Sequence, residues 1–306
     1  MSARICVLGS LNMDLVVRPQ RLPAPGETLL ADSFQTFPGG KGANQAVAAA
    51  RLGAQVAMIG RVGDDAFGRA LRRELERHGV DTAQVRSIEG VPSGVALITV
   101  EANGENTIVV VPGANQHLDP GEIDAAGGML VSIGDASSVI AQLEVPVVLV
   151  DQAARAANAA GATFVLNAAP ALPLSDSLLR RVDVLIVNRS EAAVLVGSPV
   201  TASVEELADE LLRRGPKLVV VTLGAQGAFA RAGSDLVYQD VFSVPAVDAV
   251  AAGDAFVGAL VVALDERRPL AEALRFACAA GALATTREGA QPSLPDRAAV
   301  EALAAG

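Results

Sequence analysis

Thr163-Phe164-Val165-Leu166-Asn167, Val184-Leu185-Ile186-Val187-Asn188 and Leu218-Val219-Val220-Val221-Thr222-Leu223 are three short apolar runs rich in β-branched residues. Each has the length of a buried strand and ends at an asparagine or a glycine turn. Between and after them lie helical patterns at about 175–181, 190–196 and 203–214. A sheet whose strands alternate with helices is covered on both faces, so its strands run mostly parallel. The expected fold is therefore α/β, with a doubly wound central sheet.

The pattern extends in both directions. Upstream, Ile5 to Leu8 reads as a strand ending at Gly9-Ser10. Gly39-Gly40-Lys41-Gly42 opens a helix, Ala43 to Leu52, closed by Gly53. A strand, Val56 to Ile59, and a helix, Asp65 to His78, follow. Val139 to Leu143 is a further strand. Val145 to Val150 has strand propensity, but Pro146 followed by Gln152 to Ala160 suits one long helix. Parallel strands at 139–143 and 163–167 need a crossover, which favours helix. Downstream, helices are expected at 255–265, 270–283 and 296–304.

Two segments break the alternation. Gly94 to Glu101 and Asn106 to Val111 flank Asn103-Gly104, a hairpin signal. Residues 15–37 are irregular to strand-like and carry Pro19, Pro23, Pro25 and Gly26. Together they suggest a small inserted β-sheet, from about 14–38 and 94–112, either a lid over a cleft or an edge extension of the main sheet. No repeat or linker divides the chain, so residues 1–306 read as a single domain.

Composition excludes several classes. The net charge of −10, the 3% aromatic content and the absence of Trp argue against a nucleic-acid surface. No apolar run approaches the roughly 18 residues of a membrane span, and the N-terminus enters a strand without a signal-peptide pattern. Cys6 and Cys278 suggest neither a disulfide framework nor a zinc site and fit a reducing cytoplasm. His78 and His117 sit in polar contexts and read as surface residues.

The candidate chemistry gathers at turns. In Val247-Asp248-Ala249-Val250-Ala251-Ala252-Gly253-Asp254, small residues and an acid precede an apolar helix from Ala255. Backbone N–H groups and the helix dipole there suit an anion, and Asp254 could accept a proton or merely cap the helix. Gly39 to Asn44 lets backbone approach a polyhydroxyl ligand, but lacks the Ser or Thr of a Walker loop. Asn12 and Asp14 alternate on an extended chain and can grip adjacent hydroxyls; an Asx-turn pair is the alternative. Glu144 could reach the same crevice. Asn188 and Glu191 could order water around magnesium, or simply open a helix. Thr222 to Gly227 could border a nucleotide or be a plain hairpin turn. Dinucleotide and hydrolase-elbow motifs are absent.

These residues in this order resemble the ribokinase branch of the phosphofructokinase-B-type sugar kinase family. The likeness runs through Gly9 to Asp14, Pro25 to Thr28, Gly39 to Ala46, Gly104 to Asn106, Gly113 to Asn115, Gln142 to Glu144, Thr222 to Gly224, Ala251 to Asp254 and Gly289 to Ser293. The resemblance implies ATP-dependent phosphorylation of a ribose hydroxyl. It implies a sugar site of Asn12, Asp14, Gly40, Lys41, Asn44 and Glu144, with Asp254 as the base. Ala251, Ala252 and Gly253 would form the anion hole. Asn188, Thr222, Gly224, Gly227 and Gly253 would line the ATP site, with Cys278 near the adenine. Glu191 would act on Mg2+ through water. A K+ site would use Asp248, Val250, Ala284, Arg287, Gly289 and Ser293. The lid would pair with a second subunit's, giving a homodimer. Three positions depart from the family pattern: Arg189 replaces an acid, Ala249 a Thr, and Cys278 a His.

Overall fold

The computed structural model describes residues 3–101, 106–118 and 136–306; the expected Asn103-Gly104 turn lies outside them. In the first half, β1 (Arg4–Leu8), β2 (Asn12–Arg18) and β3 (Ser33–Gly39) lead to α1 (Lys41–Arg51). Then come β4 (Gln55–Gly63), α2 (Ala66–Arg77), β5 (Asp81–Ile88), β6 (Gly94–Val100), β7 (Asn106–Val111) and β8 (Ser138–Ala141). The middle of the chain forms α3 (Val147–Ala160), β9 (Thr163–Asn167), α4 (Asp176–Leu179), β10 (Val184–Asn188), α5 (Arg189–Val196), α6 (Val204–Arg213) and β11 (Leu218–Thr222). It ends with β12 (Ala228–Ala232), β13 (Asp235–Gln239), α7 (Ala252–Asp265), α8 (Leu270–Ala284) and α9 (Arg297–Ala305).

The large sheet has nine strands in the order β13-β12-β11-β10-β9-β8-β1-β4-β5. It is parallel from β11 to β5, and β12 and β13 add an antiparallel edge. Alternate residues of each strand feed opposite faces. Ile5, Val7, Ile140, Val165, Ile186 and Val220 pack toward α1, α7 and α8. Cys6, Leu8, Val139, Phe164, Leu185 and Val219 pack toward α3, α5 and α6. Burial on both faces explains why these strands read as continuous apolar runs.

The second sheet has four strands, β3-β2-β6-β7, with β2 and β6 parallel and the outer pairs antiparallel. Only Val16, Ala96 and Ile98 form a buried cluster of its own, with Phe37 and Val100 beside them. Leu97, Val109 and Phe34 are exposed.

The segment after Pro146 is helical, as favoured, with Pro146 just outside its first turn. Other expectations change. The strands β5, β12 and β13 were not legible from pattern: β5 and β13 lie at the sheet edges and carry exposed polar residues such as Asp81, Arg86 and Asp235, and β12 is mostly alanine, a weak strand former. The helix α7 starts at Ala252, three residues earlier than Ala255.

Candidate active site

Open α/β sheets offer their crevice at the carboxyl ends of the strands. Here Gly9-Ser10 follows β1, Gln142 to Glu144 follows β8, and Asn167, Asn188 and Thr222 end β9, β10 and β11. The start of α1 is pressed against the chain leaving β1. Ala43 N donates to Ser10 O at 3.0 Å. A Cβ on Gly42 would lie 2.6 Å from Gly9 C, and Gly40 has φ +91° with a would-be Cβ 2.7 Å from Asn12 N. The Gly39–Gly42 run is therefore what lets α1 dock at this distance.

Asn12 and Asp14 are buried at the start of β2, with Met13 turned into the apolar core. They are the first and third residues of β2 and so belong to the small sheet. Asn115 fixes this corner: its Oδ1 accepts from Leu11 N at 2.9 Å, and its Nδ2 donates to Asn12 Oδ1 at 2.8 Å. Glu144 Oε2 accepts from Ser10 Oγ, from Lys41 N at 3.2 Å and from Asn12 Nδ2 at 3.5 Å. Burial, with the negative charges of Glu144 and Asp254 adding to it, pushes the Asp14 carboxyl up to about 7.

Asp254 is the third residue of α7 and does not cap it; the cap position is Ala251, held left-handed at φ 60°. Asp254 Oδ2 accepts from Asn44 Nδ2 and Oδ1 from Gln45 Nε2, each at 2.9 Å. Burial pushes its carboxyl above the usual range, while the Lys41 charge and the two amides pull the other way. Burial alone would lower the Lys41 ammonium, but Asp254, Glu144 and Glu191 outweigh it. Lys41 is thus a cation held among three acids. Asn44 Oδ1 is buried without a partner, an acceptor in need of a donor.

Three cavities meet at Ala249, which lines each of them. The largest, about 470 Å³, is apolar and lined by Gly224, Gly227, Val241, Val244, Phe256 and Cys278 among others. The central one, about 210 Å³, is lined by Lys41, Asn188, Glu191, Thr222, Ala251, Gly253 and Asp254. The third, about 280 Å³, lies between the small sheet and the 247–250 and 289–290 segments, with Asp14 and Phe37 in its wall. The first turn of α7 faces the central cavity, and helix geometry leaves its N–H groups without i−4 acceptors. Ala252 N has a long contact, 3.3 Å, to Ala249 O.

Asn188 and Glu191 form a reciprocal capping box on α5, with bonds of 2.8 and 2.7 Å, while lining the central cavity. The helix-opening reading of this pair is what the hydrogen bonds show. Burial raises the Glu191 carboxyl, opposed by the Asn188 N–H and Lys41. Arg189 is not in that cavity; its charge acts on Glu205 and Tyr238. Thr222 to Gly227 is a hairpin turn into β12 and also borders the apolar cavity. Asp248 Oδ1 takes Val250 N and Oδ2 takes Gly289 N, each at 3.0 Å. Ser293 Oγ donates to Ala290 O at 2.8 Å. Among the described residues no three His, Cys, Asp or Glu side chains gather as a metal set. His117 is exposed, whereas His78 is half-buried, with Nε2 3.3 Å from Glu74 Oε1. Sequence reasoning gave no site role to Ser10, Gln45, Asn115, Gln142 or Asn167. Ser10, Asn115 and Asn167 stand out only as polar residues at turns or a strand end, and Gln45 and Gln142 carry no local signal.

Residues 2–297 match the profile of the pfkB family carbohydrate kinases. The chain is 42% identical over 299 residues to a ribokinase of Bacillus subtilis, covering 98% of each protein. It is 37% identical over 294 residues to a deoxyribokinase of Salmonella typhi, covering 95% of each. The structure of Arabidopsis thaliana ribokinase complexed with ribose and ATP superimposes with a TM-score of 0.91 at 35% identity, over 99% of each chain. The cavities, the buried acid at a helix start and these matches agree: the chain belongs to the pfkB family of carbohydrate kinases and is a phosphotransferase with an alcohol group as acceptor.

Proposed function

We propose that this protein transfers the γ-phosphoryl group of ATP to the 5-hydroxyl of D-ribose, giving D-ribose 5-phosphate and ADP. The observation that carries the reading is Asp254: a buried carboxylate at the meeting point of a polar cluster and a cavity lined by helix N–H groups, free of capping duty. In this reading Asn12, Asp14, Gly40, Asn44 and Glu144 hold the sugar hydroxyls. Asp254 accepts the proton of the attacking hydroxyl. N–H groups from Ala251 to Gly253, with Lys41, stabilise charge on the transferred group. The apolar cavity with Gly224, Gly227 and Cys278 takes the adenine, and Asn188 and Thr222 border the phosphates.

Metal ions fit the residues present. One acid, Glu191, at the central cavity suits Mg2+, which keeps most of its waters and would neutralise phosphate charge. Asp248 with the backbone of Val250, Ala284, Arg287 and Gly289 and the Ser293 hydroxyl offers the carbonyl-rich setting that suits K+. We read residues 1–306 as one domain, with the small sheet as a lid. The exposed cross-strand pair Leu97 and Val109 supports a homodimer through that lid. Two buried free thiols fit a cytoplasmic setting. Among the described residues no helix is long and apolar enough to cross a membrane.

A coupled ADP-release assay with ribose, 2-deoxyribose, other pentoses and nucleosides, with and without K+, tests the substrate. Ribose should give the highest kcat/KM. Turnover of another substrate with none of ribose would overturn the assignment.

A further inference from the structure

We propose that Gln45 and Gln142 are positioning residues that form a polarised amide relay, fixing the direction and basicity of Asp254. Gln45 is fully buried on α1 and uses one amide nitrogen twice: Nε2 donates to Asp254 Oδ1 and to Asn167 Oδ1, each at 2.9 Å. An amide can be turned over, and a reversed Gln45 would present its carbonyl oxygen to the carboxylate. The neighbours set the order. Gln142 Nε2 donates to Gln45 Oε1 at 2.7 Å, while Gln142 Oε1 has no partner of its own among the described residues. Asn167 Nδ2 donates to Ile186 O at 3.1 Å, so Asn167 must present its oxygen to Gln45. The polarity of the chain is thus anchored on a backbone carbonyl.

Gly9 makes room for the relay, since a Cβ there would sit 2.1 Å from Gln142 Oε1. Asn44 holds the other carboxylate oxygen, so the carboxylate plane is set from both sides. The charged groups acting on Asp254 are Lys41 on α1, Glu144 after β8 and Asp14 on β2; Glu191 on α5 acts on Lys41. Of these only Lys41 favours the ionised form. A donor from Gln45 therefore bears directly on the pH at which Asp254 is ready to accept a proton.

This rests on Asp254 being the base, and the test separates the two claims. Single-turnover rates with ribose and ATP are measured against pH for the wild type, Gln45→Met, Gln142→Met, the double variant and Asp254→Asn. Removing one hydrogen bond to a charge should move the acid limb of Gln45→Met to higher pH by about one unit, with the KM for ribose within about twofold. Gln142→Met should shift the limb in the same direction by less, and add nothing in the Gln45→Met background. A uniform loss of rate with an unmoved limb, or independent effects of the two glutamines, would overturn the relay. If Gln45→Met does not fold, Gln142→Met alone decides by the same limb. Normal turnover in Asp254→Asn would instead remove the base assignment itself.

Discussion

At the residue scale, conformation and burial are used where chemistry needs them. Among the described residues, Ala251 is one of two non-glycine residues with positive φ, the other being Arg267. Such a conformation costs an L-residue about 1–2 kcal/mol, and here it turns the first N–H groups of α7 toward the central cavity. A β-branched side chain tolerates it least, so Ala251→Val should lower stability by about 2 kcal/mol and reduce kcat more than the KM for ribose. Urea unfolding and steady-state kinetics check both. Asp14 carries a pH signature. The folded state holds its proton up to about pH 7, above the ordinary carboxylate value. Its contribution to stability is therefore complete in acid and is lost as pH rises through 7. Asp14→Asn should raise Tm relative to the wild type at pH 8, lose that advantage at pH 4, and bind ribose more weakly. The alternation of Asn12 and Asp14 was legible because extended chain has period two. The roles of Gln45 and Gln142 were not, because a glutamine in a helix or at a strand end carries no local signal until its tertiary partners are known.

At the element scale, α5 shows one pair of side chains serving two ends. Glu191 closes a capping box with Asn188 and lines the central cavity. Gln can replace Glu in such a box, but it is a poorer ligand for a divalent ion. Glu191→Gln should keep the wild-type Tm and raise the Mg2+ concentration for half-maximal rate several-fold. Glu191→Ala should also lose about 1 kcal/mol of stability. Equal Mg2+ dependence in both variants and the wild type would remove Glu191 from the metal's surroundings. The parallel strands and most helices could be read from the chain because burial on both faces leaves unbroken apolar runs. The polar edge strands β5 and β13 leave no such run, and β12 is mostly alanine, which carries little strand signal. The start of α7 was misplaced for another reason: Asp254 reads as an N-cap, whereas the cap position is Ala251, which has no capping side chain.

At the scale of the whole molecule, the nine-stranded sheet gathers the ends of five strands and the starts of α1 and α7 into one crevice. The four-stranded sheet stands over it, with Phe37 packed against Gly289. The proposed homodimer would bury Leu97 and Val109 on the outer face of that sheet, so on that proposal the wild type should sediment as a dimer and Leu97→Lys with Val109→Lys as a monomer. The crevice brings a sugar-sized polar cluster to a phosphate-sized cavity with one buried carboxylate between them, and that carboxylate is the centre of the account. The most direct test is Asp254→Asn, with ribose binding measured by calorimetry and turnover by ADP release on the same preparation. Binding should persist while turnover falls by at least about 100-fold; turnover near the wild-type rate would contradict the role assigned to Asp254.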